Sequence, residues 1–331
     1  MSLSIKKVEA NRNFANKIWN AGRYVIGSLE KSPENALGSP GWTLADSWIW
    51  ARCQQLIRDV DRLFTNHQYG EAGHQIYDFF WSEFADWYLE ISKNQIKEGG
   101  DKAFYTIQTL VRILDICLRL LHPFTPFVTE ELWGHLKNVC KEKSDLLSPS
   151  NGWADALMIS KWPEAQEMEV WEDEKIKSFT IIQDIVRGIR NVRTEKKIPP
   201  SRKIPAVIVA GDKIQIIKEQ ITTLSTLSAL EPNKLEVFDY LEEKPSDTTT
   251  IISSGVEIYL TLSELVDNQA EIARLRKESQ ELNNQIDRLE KLLSSSFSEK
   301  APVQVVEKEK ERLVNFKNSA EKLKAQLDML E

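Results

Sequence analysis

Cysteine and histidine are scarce in this chain, with three and four residues respectively in 331. Cys53, Cys117 and Cys140 form no C-x-x-C pair. An odd number of isolated cysteines points to buried thiols in a reducing, cytoplasmic setting rather than to a disulfide framework. His67, His74, His122 and His135 form no ligand pattern, so no metal site is expected. Glu131 and His135 share a helix face, but one such pair is not a coordination set. No apolar run reaches the ~18–20 residues that cross a bilayer, so no membrane role is expected. Phosphate-binding loops are missing too: neither GxxxxGK[ST] nor GxGxxG occurs, and no G-x-S-x-G elbow. Glu130-Glu131 and Glu242-Glu243 are chain neighbours whose side chains point apart, so they make no acid/base couple. No catalytic residue is assigned, and the residues describe a binding chain.

Tryptophan is plentiful and then stops. All ten Trp lie at or before Trp171. This composition shift places a boundary near 165–175. The net charge of −7 argues against a protein that coats nucleic acid generally. Residues 183–203 (QDIVRGIRNVRTEKKIPPSRK) are the exception: they carry +5, leaving −12 on the remainder.

Apolar spacing predicts helices over 6–29, 43–66, 70–98, 100–121 and 124–140, an all-α bundle of about five helices. Pro/Gly/Ser loops fall at 31–42 and 141–165. Gly99-Gly100 end the third helix and Asp101 caps the fourth. A further helix spans 169–193. The period then shortens to that of strands. A β-branched run at 203–210, a helix at 212–230 and alternating stretches at 235–240 and 249–262 predict a small three-stranded sheet.

Residues 265–330 carry two seams of 3.5-residue period. The first holds Ile272, Leu275, Leu282, Ile286, Leu289 and Leu293, with Ser279 at its one polar position. The second holds Val306, Leu313, Phe316, Ala320, Leu323, Leu327 and Leu330. SSSFSEKAP (294–302) breaks them, because Pro302 cannot sit inside a helix. An antiparallel coiled-coil hairpin follows, with arms of about 40 Å. It could dimerise the chain, or reach a large partner. The expected fold is thus mainly α, in three domains: a helical bundle over 1–165, a small α/β junction domain over 166–263 and a coiled-coil arm over 264–331.

Several segments, in order, resemble valyl-tRNA synthetases of the bacterial type. RNFANKIWNAGRYV (12–25) is similar to the opening of their class I anticodon-binding bundle, and WSEFADWYLEISK (81–93) to its third helix. HPFTPFVTEELW (122–133) resembles the motif before the last bundle helix. IRNVRTEKKIPPSRKI (189–204) resembles the junction, and KAPVQVVEKEKERL (300–313) the returning arm of the coiled coil. The HIGH and KMSKS signatures that handle ATP are absent, as is the editing domain.

The resemblance implies the tRNA-binding half of valine–tRNA ligase: anticodon recognition by the bundle and contact with the tRNA elbow by the arm. ATP and Mg²⁺ would serve the full enzyme, with no cofactor in this chain. The implied partners are valine tRNA and the missing catalytic domain of the same polypeptide, and the chain would be a monomer. Single-stranded bases are read by stacking and by polar side chains. Candidate tRNA-binding residues are Arg12, Asn13, Asn16 and Arg23 on the first helix, then Trp87, Lys93 and Lys97. Arg190, Arg193, Lys196, Lys197 and Arg202 could track a phosphate backbone. Two other readings remain open: a structural coiled-coil dimerisation protein and a catalytically dead synthetase paralogue.

Overall fold

The fold is that of a computed structural model, which describes residues 4–33, 36–38, 41–143, 148–149, 152–246, 248–261, 268–294 and 303–328. Helix α1 (Ile5–Glu30) buries Phe14, Ile18, Ala21, Val25 and Leu29 along one stripe. Its first turn is closed by Ser4, whose hydroxyl accepts from the Lys7 N–H. Helix α2 (Leu44–Thr65) opens with a capping box: Thr43 Oγ1 accepts from Asp46 N–H, and Asp46 Oδ2 accepts from Thr43 N–H.

Residues 69–98 form one continuous rod, but not a uniform one. Helix α3 (Tyr69–Asp78) widens into a π-helical segment over Phe79–Tyr88 and narrows again into α4 (Leu89–Glu98). The sequence had predicted a single α-helix here. The wider turn sends Phe79, Phe80, Phe84, Ala85, Trp87 and Tyr88 all into the core. One stripe of a 3.6-residue helix would bury fewer.

Helix α5 (Gly100–Leu121) starts from Gly99 at φ +77, a backbone region that glycine enters without steric cost. Asp101 does not cap it. Its carboxylate accepts instead from the Leu37 N–H at 2.7 Å, tying the 31–42 loop to the bundle. Helix α6 (Pro126–Lys143) follows. Helix α7 (Val170–Glu195) packs along α2, with Phe179 stacked on Trp48 at 4.1 Å and both rings buried.

Two buried polar clusters sit inside the bundle. Tyr88 donates to Asp46 Oδ1 (2.7 Å), Gln95 donates to Thr43 Oγ1 (2.8 Å), and Thr106 donates to Gln95 (3.3 Å). Burial, and then the nearby Asp46 carboxylate, hold the Tyr88 phenol well above its ordinary pKa. In the second cluster, Asp115 accepts from Trp133 Nε1 (2.7 Å) and from Arg119 Nε (3.0 Å). Every buried group here is satisfied, which avoids a desolvation cost of about 1–3 kcal/mol each.

The small sheet has four strands, not the three expected. They are β1 (Ile204–Val209), β2 (Leu230–Phe238), β3 (Thr248–Ser253) and β4 (Val256–Thr261), in the order β2-β1-β4-β3. The stretch expected as one interrupted strand at 249–262 is a hairpin turning at Ser254 and Gly255, both at positive φ. The helix expected over 212–230 is also broken, into α8 (Ile214–Glu219) and α9 (Ile221–Ser228) at Gln220.

Helices α10 (Asn268–Leu293) and α11 (Val303–Asp328) pack on each other. Each has 26 residues, or about 39 Å of rise. The nine residues between them span at most about 30 Å, so they cannot bring α11 back to run parallel over its length. Residues 275, 279, 282, 286, 289 and 293 of α10 turn inward, as do 306, 309, 313, 316, 320 and 323 of α11. Glu309 thus fills the one gap in the expected second seam, and Lys317 bridges to Glu290 at 2.6 Å. The seam assignments for Ile272, Leu327 and Leu330, and the form of the turn at 295–302, lie outside the described side chains and residues. The chain divides into two compact units: Met1–Lys203 with Val207–Leu241 and Ile251–Ile258, and Ile204–Ala206 with Glu242–Thr250 and Tyr259–Glu331.

Candidate nucleic-acid interface

Helix α1 runs alongside the α3–π–α4 rod in the same direction. Phe14 meets Tyr77 (ring centroids 4.4 Å apart), Lys17 pairs with Asp86, and Tyr24 OH lies 3.3 Å from Ser92 Oγ. The apolar stripe of α1 is spent on α6 and α5 as well as on this rod. Its other face therefore carries Arg12, Asn13, Asn16 and Arg23 into solvent. Arg12 and Arg23 form no ion pair with any described residue, and neither does Lys97 on α4.

On the rod itself, three rings at positions i, i+3 and i+7 form a ladder that meets α1 at Phe14 and Lys17. His74 stacks on Tyr77 (6.3 Å, planes 5° apart), and Tyr77 stacks on Trp81 (5.7 Å, 19°). Lys17 Nζ sits 4.7 Å from the Trp81 ring centroid, an additional cation–π contact. His74 is exposed at the open end of the ladder. Flat rings can stack on unpaired bases, and amide and guanidinium donors can hydrogen-bond their edges. The sequence reading did not single out this ladder, although its 3–4 spacing was available.

The other candidates fall into distinct settings. Lys93 is exposed but bound to Glu90 at 2.6 Å and lies over the Tyr24 ring. Trp87, expected as a base-stacking ring, is buried. Phe179 meets it edge-on at 6.1 Å, and the Arg187 and Arg190 guanidinium carbons lie 5.7 Å from its centroid. No ring face is left for a base.

Arg193, expected on a phosphate track, is also interior. Its guanidinium donates to the carbonyls of Ala229 (3.3 Å), Pro199 (2.7 Å) and Arg202 (2.8 Å). Burial draws its pKa below the ordinary arginine value. Arg190 is exposed but donates from Nε to the Leu227 carbonyl at 2.9 Å.

Lys196 and Lys197 stand in solvent where α7 ends. The Ile198 N–H bonds Arg193 O and the Lys197 N–H bonds Thr194 O, the paired bonds of a Schellman cap. Lys197 occupies its left-handed position at φ +53, where glycine is usual. Arg202 is half-buried. The exposed lysines of 183–203 thus cluster past the end of α7, at Lys196, Lys197 and Lys203, with Lys196 4.0 Å from the Glu195 carboxylate.

Among the described residues no group of three or more His, Cys, Asp or Glu is placed to hold a metal. No described helix is long and apolar enough to cross a membrane. Cys53, Cys117 and Cys140 are buried and free. Burial raises all three thiols, Cys140 to about 12, so they stay protonated and unreactive near neutral pH.

Residues 46–208 match the family model described as the anticodon-binding domain of tRNA ligase. Helices α2 to α7, which include the ring ladder, are thus of the tRNA-ligase anticodon-binding class. Residues 267–331 match the model described as the valyl tRNA synthetase tRNA binding arm. Among curated relatives, a valine–tRNA ligase of Dehalococcoides mccartyi is 36% identical over 96% of this chain and 35% of its own length. That of Thermotoga maritima is 36% identical over 100% and 35%. That of Neisseria meningitidis serogroup B is 31% identical over 100% and 34%. The chain spans about a third of the length of the curated relatives it matches. It belongs to the valyl-tRNA synthetase family and matches the C-terminal part of these proteins.

Proposed function

We propose that this chain binds valine tRNA, the bundle reading the anticodon loop and the arm contacting the elbow. It would thereby support ATP-dependent formation of valyl-tRNA by a catalytic domain of the same polypeptide, in the cytoplasm. ATP and Mg²⁺ would belong to that catalytic part, and no site for them is assigned in this chain. The observation that carries the reading is the exposed α1 face with unpaired Arg12 and Arg23, Asn13 and Asn16, on a helix that packs against the rod bearing the His74–Tyr77–Trp81 ladder. Lys97, Lys196, Lys197 and Arg202 would add phosphate contacts.

Binding is tested by titrating labelled valine tRNA at several salt concentrations. A net acidic protein with few free cations must draw its affinity from local phosphate contacts, so affinity should fall steeply with salt. Arg12→Ala should weaken binding of the anticodon stem-loop by about 1–3 kcal/mol, the worth of one base contact. An affinity independent of salt, or equal for wild type and the Arg12 variant, contradicts the assignment.

The arm's role separates from dimerisation by truncation after residue 263. In each unit's own terms, the α10 seam is already covered by α11, which favours a monomeric arm. A truncated chain should remain monomeric by light scattering and lose affinity for whole tRNA but not for the stem-loop. A dimer that dissociates on truncation would establish the dimerisation reading instead.

A further inference from the structure

Between α2, α5 and the segment 161–166 lies a cavity of about 630 Å³, lined by Trp50, Arg112, Arg119, Lys161, Trp162 and Glu164 among others. It is on a different part of the bundle from the α1 face. Its wall is held in place from both helices. Arg119 donates to the Lys161 carbonyl (3.0 Å), the Gln166 N–H donates to Gln54 Oε1 (2.8 Å), and Arg58 donates to the Gln166 carbonyl (3.4 Å). Pro163 stiffens the segment between these pins. The space is therefore formed in advance, at a size usual for small-ligand sites.

Its chemistry is unbalanced. Asp115 in the lining is engaged by Arg119 and Trp133. Arg112 is half-buried and makes no hydrogen bond or ion pair with any described residue. Burial alone draws its pKa down from the ordinary value, and no neighbouring carboxylate offsets this. A partly desolvated guanidinium with no protein anion is a ready partner for an anionic ligand. Trp50 and Trp162 are half-buried, and their indole N–H groups donate to no described residue. The cavity thus combines an unpaired fork of cationic donors with two flat rings that carry free donors.

We propose that this cavity binds one nucleoside 5′-phosphate unit, its base against Trp50 and Trp162 and its phosphate on Arg112, with Lys161 at the edge. Bidentate phosphate recognition suits a guanidinium, and rings accept any base by stacking. If the unit is an unstacked residue of a bound tRNA, the site rests on the RNA-binding reading above. If it is a free nucleotide, the site stands alone.

The test titrates the full chain calorimetrically with AMP, GMP, CMP and UMP, with the matching nucleosides, and with inorganic phosphate. At least one mononucleotide should bind about tenfold tighter than its nucleoside or phosphate, and Arg112→Gln should lose about that factor, one charge-assisted hydrogen bond. Arg112→Lys, which keeps the charge and the aliphatic stem, should retain part of the affinity and guards against a folding failure of the first variant. A parallel titration with whole tRNA separates the sources. A loss of about tenfold in Arg112→Gln assigns the site to an RNA residue, and unchanged tRNA affinity assigns it to free nucleotides. Failure of the wild type to bind tRNA while still binding a mononucleotide would sink the tRNA reading and leave this site standing. Mononucleotides that bind no better than phosphate, or equally well to the Arg112→Gln chain, would overturn it.

Discussion

The bundle and the coiled-coil arm bury their apolar residues on different terms. In the bundle, rings such as Trp48, Trp133, Phe80 and Phe179 are enclosed on every side, and buried polar groups are paired inside the same core. In the arm, the described seam covers Leu275, Ile286 and Leu323 almost fully, but Leu289, Leu293 and Leu313 only in part. A two-helix seam has no third layer, so each side chain contributes less apolar area. A core position in the bundle should therefore cost far more to truncate than a seam position in the arm, and the arm should lose structure first on heating.

The largest effect belongs to the Trp48–Phe179 stack. Phe179→Ala should cost about 3–5 kcal/mol, because it opens a cavity against Trp48 at the α2–α7 contact. Urea unfolding followed by tryptophan fluorescence measures it, since all ten Trp precede residue 172. A loss under about 1 kcal/mol would mean that α7 is not part of the bundle's cooperative core.

Leu323→Ala on the seam should cost about 1–2 kcal/mol, below the range for enclosed core leucines. It should shift helix loss in the arm by circular dichroism and leave the tryptophan transition where it was. A shift in both signals would show the two units unfolding as one.

Asp115 probes the bundle's polar interior through pH. Burial raises its pKa, an effect that Arg119 and the Trp133 N–H only partly offset. The folded state then holds a proton more tightly than the unfolded one. Stability attributable to this carboxyl rises as pH falls from its raised folded value toward the ordinary carboxylate range. Relative to Asp115→Asn, the wild type should gain stability on acidification across that window. Parallel curves for the two proteins, from urea titrations at several pH values, would remove Asp115 as a strained charge.

The smallest effect concerns a helix end. Lys197→Gly should stabilise the chain by roughly 0.5–1 kcal/mol, because glycine meets no Cβ penalty at φ +53. The same change would remove one of the free cations near residue 200, so tRNA affinity should fall while the melting temperature rises. A fall in both would contradict the cap assignment.

Much of the fold was legible because helices announce themselves by period. The stripe of Val8, Phe14, Ile18, Trp19, Tyr24 and Val25 places α1 to within a residue or two, although Val8 and Trp19 stand exposed and the buried stripe runs instead through Ala21 and Leu29; the capping box at Thr43 and Asp46 was not read from the sequence. The π segment was not legible, since FFWSEFADWY is simply apolar and widening a turn depends on what the rings pack against. The Ser254–Gly255 turn was seen only as an interruption, because alternation continues on both sides of it. For the interface, charge type was readable but side-chain direction was not. Arg12 and Arg193 look alike in the sequence, yet one faces water and the other binds three carbonyls. The walls of the Arg112 cavity come from positions as far apart as 50, 112 and 161, and no local pattern joins them.

The Arg193 clamp has a consequence for motion. Its single guanidinium holds carbonyls from three stretches of chain: the segment after α7 at Pro199, its continuation at Arg202, and the end of α9 at Ala229. None of these can swing away without releasing the same side chain. They should open together, as one cooperative unit in amide hydrogen exchange, with the backbone between α7 and β1 keeping time with the end of a helix some thirty residues further along the chain.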